Sequence, residues 1–139
     1  MKYLLDTDIC IYLINGKSAE LLRRLTRAKP EDVAVSSVTL FELATGAYKS
    51  RQVAKNELAL TRFLAPMEVL AFDETAALDT ARIRTALEKA GKRIGAYDLM
   101  LAGHARCLGA TLVTNNVREF TRVQGLKVEN WLASGHHDA

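Results

Sequence analysis

Short apolar runs alternate with amphipathic helical segments along the whole chain, and this alternation limits the fold more than any other feature of the sequence. Four runs lie at residues 3–5, 33–35, 69–72 and 111–114, and residues 127–129 are a candidate for a last edge strand. The segments between them have the apolar spacing of helices. Strands that alternate with helices form βαβ units with parallel strands. We therefore predict an α/β fold of three layers, helices on both faces of a mostly parallel central sheet of four to five strands.

Length and composition indicate a single globular domain. The chain has 139 residues, of which 49% are hydrophobic and 25% charged, and it shows no repeat or linker. We predict one domain over residues 1–132 and a loose tail over residues 133–139. The apolar runs are too short to span a bilayer, and the first acid, Asp6, comes too early for a signal peptide. We therefore expect a cytoplasmic protein without a membrane partner.

The net charge of +3 is too small to indicate nucleic-acid binding by itself. Basic residues do form two clusters, at residues 23–29 and at residues 89–93. Such clusters usually form the solvated face of a helix. A rim that contacts phosphates is the alternative.

The acidic residues fall where parallel sheets place their binding sites, beyond the carboxyl ends of the strands. They follow the first strand, lie in the helix after the second strand, open the helix before the fourth strand, or follow the fourth strand. They are Asp6, Asp8, Glu42, Asp98 and Glu119. Residues from distant parts of the chain are therefore expected to meet at one edge of the sheet.

Each of these acids also has a purely structural explanation. Asp6, Asp8 and Asp98 are suited to capping helices, and the cap of the first helix is expected near Thr7 or Asp8. Glu42 is suited to the exposed side of its helix. As a group they are harder to explain in this way, because no Lys or Arg is spaced to pair with them and a buried unpaired charge is costly.

A divalent cation would stabilise such a group of carboxylates. Two carboxylates about 4 Å apart repel each other by roughly 4 kcal/mol at an effective dielectric constant near 20. Oxygen ligands suit Mg²⁺ or Mn²⁺, and such an ion can activate water against a phosphodiester. The sequence has no His or Cys cluster for zinc, and His104 is expected near the surface of its helix. It also has no Walker-type glycine-rich loop.

Four sequence motifs resemble those of PIN-domain nucleases. They are Leu-Leu-Asp-Thr-Asp-Ile (residues 4–9), Ser-Ser-Val-Thr-Leu-Phe-Glu-Leu followed by Gly46 (residues 36–43), Ile-Gly-Ala-Tyr-Asp-Leu-Met-Leu-Ala (residues 94–102) and Leu-Val-Thr-Asn-Asn-Val-Arg-Glu-Phe (residues 112–120). Their combination is specific, although each motif alone is weak, and it extends over residues 2–132. The size and the motif spacing are most similar to those of VapC-type toxins.

The resemblance implies a metal-dependent endoribonuclease, the toxin of a bacterial type II toxin–antitoxin pair. It places the acids of the first three motifs on Asp6, Glu42 and Asp98, around Mg²⁺ or Mn²⁺, with Asp6 and Asp98 as metal ligands. The family's fourth acid is replaced by Asn116 here, and Glu119 is the candidate to take its place. Polar residues expected to line or support the pocket are Thr7, Asp8, Thr114 and Asn116.

The resemblance also implies partners and a substrate. It implies a homodimer that binds a cognate antitoxin protein, with helices within residues 52–64 and 75–90 as candidates for the dimer face. The Thr-Asn-Asn run before Arg-Glu-Phe is most similar to enteric VapC toxins that cut initiator tRNA in its anticodon region. The expected substrate is therefore RNA, in particular tRNA.

Two alternatives belong to other functional classes. Asp-x-Asp after a first strand also begins the haloacid-dehalogenase-like phosphatases, in which Asp6 would be the covalent nucleophile, but Ile9 and Cys10 do not match the residues that usually follow in that class. The other alternative is a non-catalytic PIN-like RNA-binding module. The acids argue against it, because RNA binding alone would favour basic residues in the pocket.

Overall fold

The computed structural model describes residues 1–132, and its elements follow the predicted order. The strands are β1 (Tyr3–Leu5), β2 (Val33–Ser36), β3 (Glu68–Leu70), β4 (Thr111–Val113) and β5 (Lys127–Glu129). The helices are α1 (Thr7–Ile14), α2 (Ala19–Arg27), α3 (Ser37–Lys49), α4 (Val53–Leu64), α5 (Glu74–Lys89), α6 (Ala96–Leu108) and α7 (Val117–Phe120). A 3₁₀ turn covers Pro30–Asp32.

The strands form one five-stranded sheet in the order β3-β2-β1-β4-β5, and every neighbouring pair is parallel. The central strand β1 pairs with β2 through Leu4 and Ala34 and with β4 through Leu4 and Leu112. The carboxyl ends of β1, β2 and β4 therefore lie side by side, and the segments that follow these strands start from the same edge. This confirms the predicted α/β fold and its parallel sheet.

The two faces of the sheet are covered by different helices. Alternate residues of a strand point to opposite faces, so Leu4 and Leu112 pack in a cluster with residues of α5 and α6, whereas Leu5 and Val113 pack with residues of α1, α2 and α4. Both clusters are formed by fully or nearly fully buried side chains. The result is the predicted three-layer arrangement.

Four helices begin at polar side chains that accept a backbone N–H of the first turn, which satisfies donors that a helix leaves unpaired. These N-cap residues are Asp6, Ser18, Ser36 and Asp73. The explanation of Asp6 as a helix cap is confirmed, and the cap of α1 lies one residue before Thr7, because Asp6 has the extended backbone of a cap and Thr7 is already helical.

One other expectation differs from the structure. His104 is buried and not near the surface, because α6 packs against both α5 and the sheet, and a ring nitrogen of His104 lies 2.9 Å from Ser36 Oγ. Within residues 1–132, no helix is long and apolar enough to cross a membrane. The predicted tail over residues 133–139 lies outside the described residues.

Candidate active site

Asp6 is the most buried acid of the site, with 5% of its surface exposed. It leaves the carboxyl end of β1, and its backbone N–H continues the sheet by donating to Val113 O at 3.0 Å. Its Oδ1 accepts the N–H of Ile9 at 2.9 Å, and the Thr114 side chain is a second hydrogen-bond partner of the carboxylate. Asp6 therefore both caps α1 and presents a carboxylate at the edge of the sheet.

Glu42 reaches the same edge from the second turn of α3. The Thr7 hydroxyl donates to Glu42 Oε1 at 2.5 Å and lies 3.3 Å from the hydroxyl of Thr39, which is fully buried. These contacts link the start of α1 to α3. Glu42 is half-buried and therefore does not lie on a fully exposed helix face.

Asp98 and Glu119 meet at the other side of the cluster. Asp98 lies in the first turn of α6, and Glu119 lies in α7, after β4. Their carboxyl groups lie close enough for a proton on one of them to be shared with the other. Glu119 also accepts the amide of Asn116 at 2.7 Å and faces the backbone N–H of Gly95 at 3.4 Å. The three-residue spacing of Asn116 and Glu119 does bring the two side chains together, as their position in a helical turn predicts.

Thr114 connects the two halves of the site. It is fully buried at the end of β4, and its hydroxyl accepts the backbone N–H of Asn116 at 2.9 Å while the side chain also bonds to Asp6. Asn116 itself is exposed and points its amide to Glu119. Asp8 is exposed as well, but its charge is close enough to raise the pKa of Asp6.

The site carries excess negative charge. None of the ion pairs between described side chains involves Asp6, Glu42, Asp98 or Glu119. Burial, and then the charges of Asp8 and Glu42, raise the pKa of Asp6 from 3.8 to about 6. Burial, the hydrogen bond and charge of Glu119, and the charges of Asp6 and Glu42 raise the pKa of Asp98 to about 7. Four carboxylates from four segments therefore share one electrostatic environment.

The donor set suits a hard divalent cation. All four groups are carboxylates, their mutual repulsion has no basic partner among the described side chains, and oxygen ligands are those that Mg²⁺ and Mn²⁺ prefer. Glu42 is held by the Thr7 hydroxyl and Asp6 by Thr114, while Asp98 lies against Glu119. Within residues 1–132, no three His, Cys, Asp or Glu side chains are placed so that they could hold a metal ion as they stand. The residues fit the ion by charge and by donor type.

The two basic clusters differ in position. Arg24, Arg27 and Lys29 line a cavity of about 280 Å³ with Lys2, at the amino end of β1 and thus away from the acids. Lys92 and Arg93 line a cavity of about 460 Å³ between α5 and α6, two to three residues before Gly95. The second cluster is the nearer of the two to the site along the chain, because Gly95 N–H faces Glu119 at 3.4 Å.

One supporting residue, Thr39, was not singled out by the sequence. Its signal is the i, i+3 spacing to Glu42, which puts both side chains on one face of α3. Thr39 is fully buried, and its hydroxyl contacts the same Thr7 hydroxyl that binds Glu42.

Comparisons with known proteins agree with this arrangement. Residues 3–126 match the family model of the PIN domain. The chain is 43% identical over 131 residues to a tRNA(fMet)-specific endonuclease VapC of Shigella flexneri, covering 94% of this chain and 98% of that protein. It is 41% identical over 132 residues to ribonuclease VapC2 of Rickettsia felis, covering 94% and 98%.

Solved structures show the same similarity. The DNA-bound VapBC complex of Salmonella typhimurium contains a chain that superimposes with a TM-score of 0.90 at 40% identity, covering 94% of this chain and 98% of that one. VapBC2 of Rickettsia felis bound to a promoter DNA fragment gives a TM-score of 0.89 at 38% identity, with coverage of 94% and 99%. These relatives and structures give no support to the phosphatase alternative or to the non-catalytic one. The parallel sheet, the acids at its carboxyl edge and the extent of these matches lead to one conclusion: the chain belongs to the PIN-domain family and, within it, to the VapC ribonucleases.

Proposed function

We propose that this protein is the toxin of a type II toxin–antitoxin pair and hydrolyses RNA phosphodiester bonds with Mg²⁺ or Mn²⁺ at the four-carboxylate site. The observation that carries the proposal is the cluster of Asp6, Glu42, Asp98 and Glu119, which lies at the carboxyl edge of the sheet without a basic partner among the described side chains. A binding module for RNA alone would gain nothing from such a cluster, because it repels phosphates.

The proposed roles follow from how each side chain is held. Asp6 and Asp98 are the proposed metal ligands, because the charge of Asp6 acts on Asp98 and a bound cation would lower the raised pKa of each carboxyl. Glu42 is kept in place by Thr7, and Glu119 by Asn116. Thr114 orients Asp6 through their hydrogen bond. Asp8 adds negative charge at the rim of the site.

A bound divalent cation would polarise the phosphodiester and lower the pKa of an attacking water. In this proposal water is the nucleophile and the ribose 2′-hydroxyl is not, so the bond from phosphorus to the 3′ oxygen breaks. The products should carry 5′-phosphate and 3′-hydroxyl ends. Asp6→Asn and Asp98→Asn should each abolish cleavage while the protein stays folded. Recovery of 2′,3′-cyclic phosphate ends would disprove the mechanism.

We further propose that Glu119 supplies the negative charge that Asn116 lacks. Its contact with Asp98 supports this role, and the amide oxygen of Asn116 can still accept a hydrogen bond or bind a cation weakly. Glu119→Gln should raise the magnesium concentration needed for half-maximal cleavage, and Asn116→Asp in the same protein should partly restore it. Wild-type cleavage by Glu119→Gln at limiting magnesium would confine the charged site to Asp6, Glu42 and Asp98.

The proposed substrate is the initiator tRNA, cut in its anticodon region. The name of the Shigella flexneri relative supports it, and a looped strand is better able than a duplex to bend its backbone toward recessed acids. Incubation of total RNA with the purified protein, followed by sequencing of the cleaved ends, tests this point. Cleavage of messenger RNA with the initiator tRNA left intact would refute it.

The proposed partners are a second copy of the chain and a cognate antitoxin. VapBC complexes among the solved relatives support the antitoxin. An Arg of the antitoxin is suited to enter the site, because its guanidinium matches a carboxylate in shape and charge. Exposed Leu58 of α4 and Leu78 of α5 mark the candidate dimer faces. Light scattering of Leu58→Lys and Leu78→Lys should show which helix is used, and a dimer unaffected by both changes would exclude these faces.

A further inference from the structure

Two exposed aromatic residues directly precede two acids of the site in the chain and have no role in the proposed chemistry. Phe41 and Tyr97 contact each other edge to face, with ring centroids 5.6 Å apart and ring planes at 60°. Despite this contact, Phe41 remains 52% exposed and Tyr97 46% exposed. Neither ring therefore serves the hydrophobic core, in which both apolar clusters are formed by other residues.

The chain fixes the position of both rings relative to the acids. Phe41 directly precedes Glu42 in α3, and Tyr97 directly precedes Asp98 in α6. Helices α3 and α6 pack against each other, and the charge of Glu42 acts on Asp98. The two rings thus bridge the same pair of helices that bring these two acids together.

We propose that the Phe41–Tyr97 pair is a binding subsite for one unpaired nucleobase of the RNA, next to the phosphodiester that is cut. This inference rests on the proposed ribonuclease function. Bases of single-stranded RNA bind proteins largely by stacking on aromatic side chains, and every base has a face that can stack. A base held on the rings would leave its phosphate free to lie at the carboxylate site.

A nucleotide suits this surface better than an apolar segment of a protein. The rings are flanked on the chain by Glu42 and Asp98, so an apolar helix covering them would also bury these acids, which is costly. A nucleotide instead has a flat apolar base at one end, which can stack on the rings, and a charged phosphate at the other end, which can lie at the polar site. That division matches a surface in which two rings border a polar site.

The test uses the anticodon stem-loop of the initiator tRNA, carrying an abasic nucleotide at each loop position in turn. Cleavage is measured under single-turnover conditions with Mg²⁺, and binding is measured by fluorescence anisotropy in EDTA. The variants Phe41→Leu and Tyr97→Leu keep an apolar side chain but remove the ring, whereas Phe41→Tyr and Tyr97→Phe keep the ring. Leu22→Ala is the control, since Leu22 is an exposed apolar residue on α2.

The wild type should lose affinity and cleavage rate on the order of ten-fold at one abasic position. Phe41→Leu and Tyr97→Leu should lose a similar factor on the intact RNA and show little further loss at that position, because ring and base form one contact. The ring-keeping variants and Leu22→Ala should behave as the wild type. Thermal melting of each variant shows whether it is folded.

Other outcomes separate the two proposals. The subsite is overturned if the wild type and the ring-removal variants are equally sensitive to every abasic position. It is also overturned if these variants lose antitoxin binding while their RNA binding and cleavage stay unchanged. Binding with the predicted abasic pattern but no cleavage in Mg²⁺ or Mn²⁺ rejects the ribonuclease proposal and leaves the subsite supported. A wild type that neither binds nor cleaves the stem-loop overturns both for this RNA.

Discussion

The ionised carboxylate of Asp6 should destabilise the metal-free protein, so Asp6→Asn should be more stable than the wild type at neutral and alkaline pH. Burial raises the pKa of Asp6 from 3.8 to about 6 in the folded state. A difference of about two pKa units corresponds to about 3 kcal/mol. Because the folded state binds this proton more tightly than the unfolded state, the wild type loses stability as the pH rises from about 4 to about 6, and the loss remains above that range.

An asparagine can keep the structural role of Asp6 without its charge. Its amide oxygen can accept the N–H of Ile9, and its amino group can donate to the Thr114 hydroxyl, so the cap of α1 is preserved. We therefore expect Asp6→Asn to gain up to about 3 kcal/mol near pH 8 and almost nothing near pH 4. Asp73→Asn is a matched control, because Asp73 caps α5 in the same way through Ala76 but is exposed and outside the carboxylate cluster.

Urea denaturation in EDTA over this pH range measures the difference directly, since the slope and the midpoint give the free energy of unfolding. Addition of Mn²⁺ at about a hundred times its dissociation constant should then stabilise the wild type by about 2.7 kcal/mol and Asp6→Asn by much less. The desolvation argument is wrong if Asp6→Asn is no more stable than the wild type at pH 8, or if the difference between them does not change with pH.

Two further predictions concern the metal and the helix packing. Since the pKa of Asp98 is raised to about 7, protons should compete with the cation, and the apparent affinity for Mn²⁺ measured by calorimetry should fall as the pH decreases from about 8 to about 6; an affinity independent of pH would contradict this. Gly103→Ala should destabilise the protein by about 1–3 kcal/mol, because the added Cβ would come within 2.8 Å of the Thr80 backbone on α5. Gly46→Ala in α3 is the control: its added Cβ meets nothing within 4 Å, so this variant should be neutral or stabilising in the same denaturation assay.

The sequence predicts most of the fold because its strands and helices are marked by short-range signals. The apolar run before Asp6 and the glycine at 109, with its positive φ of 68°, are examples that locate β1 and the end of α6. The environment of His104 was not predictable in this way, since its burial depends on α6 packing between α5 and the sheet. The helical periodicity of one segment does not specify which of its faces a distant segment will cover.

The candidate site shows the same division between local and long-range information. The spacing of Asn116 and Glu119 predicts their contact, because both lie in one helical turn. The contact of Glu119 with Asp98, and that of Phe41 with Tyr97, join segments that only the folded chain brings together. Resemblance to a family identifies the acids of its motifs, and where Asn116 departs from the pattern the helical spacing names Glu119 as the replacement. Only the folded chain shows that Glu119 lies against Asp98.

Asp6 shows why the charged site and the fold are hard to separate by simple deletion. One carboxylate oxygen accepts the N–H of Ile9, so removing the side chain would lose a helix cap as well as a charge. A neutral asparagine removes only the charge. The uncompensated charge is unfavourable in the folded state, so a cation that binds to the Asp6 carboxylate stabilises the fold. A metal ion that does so also enables cleavage, whereas an arginine that does so blocks it. A metal ion and an arginine of a partner protein would therefore compete for one source of stabilisation, and the protein gains it only when one of them is bound.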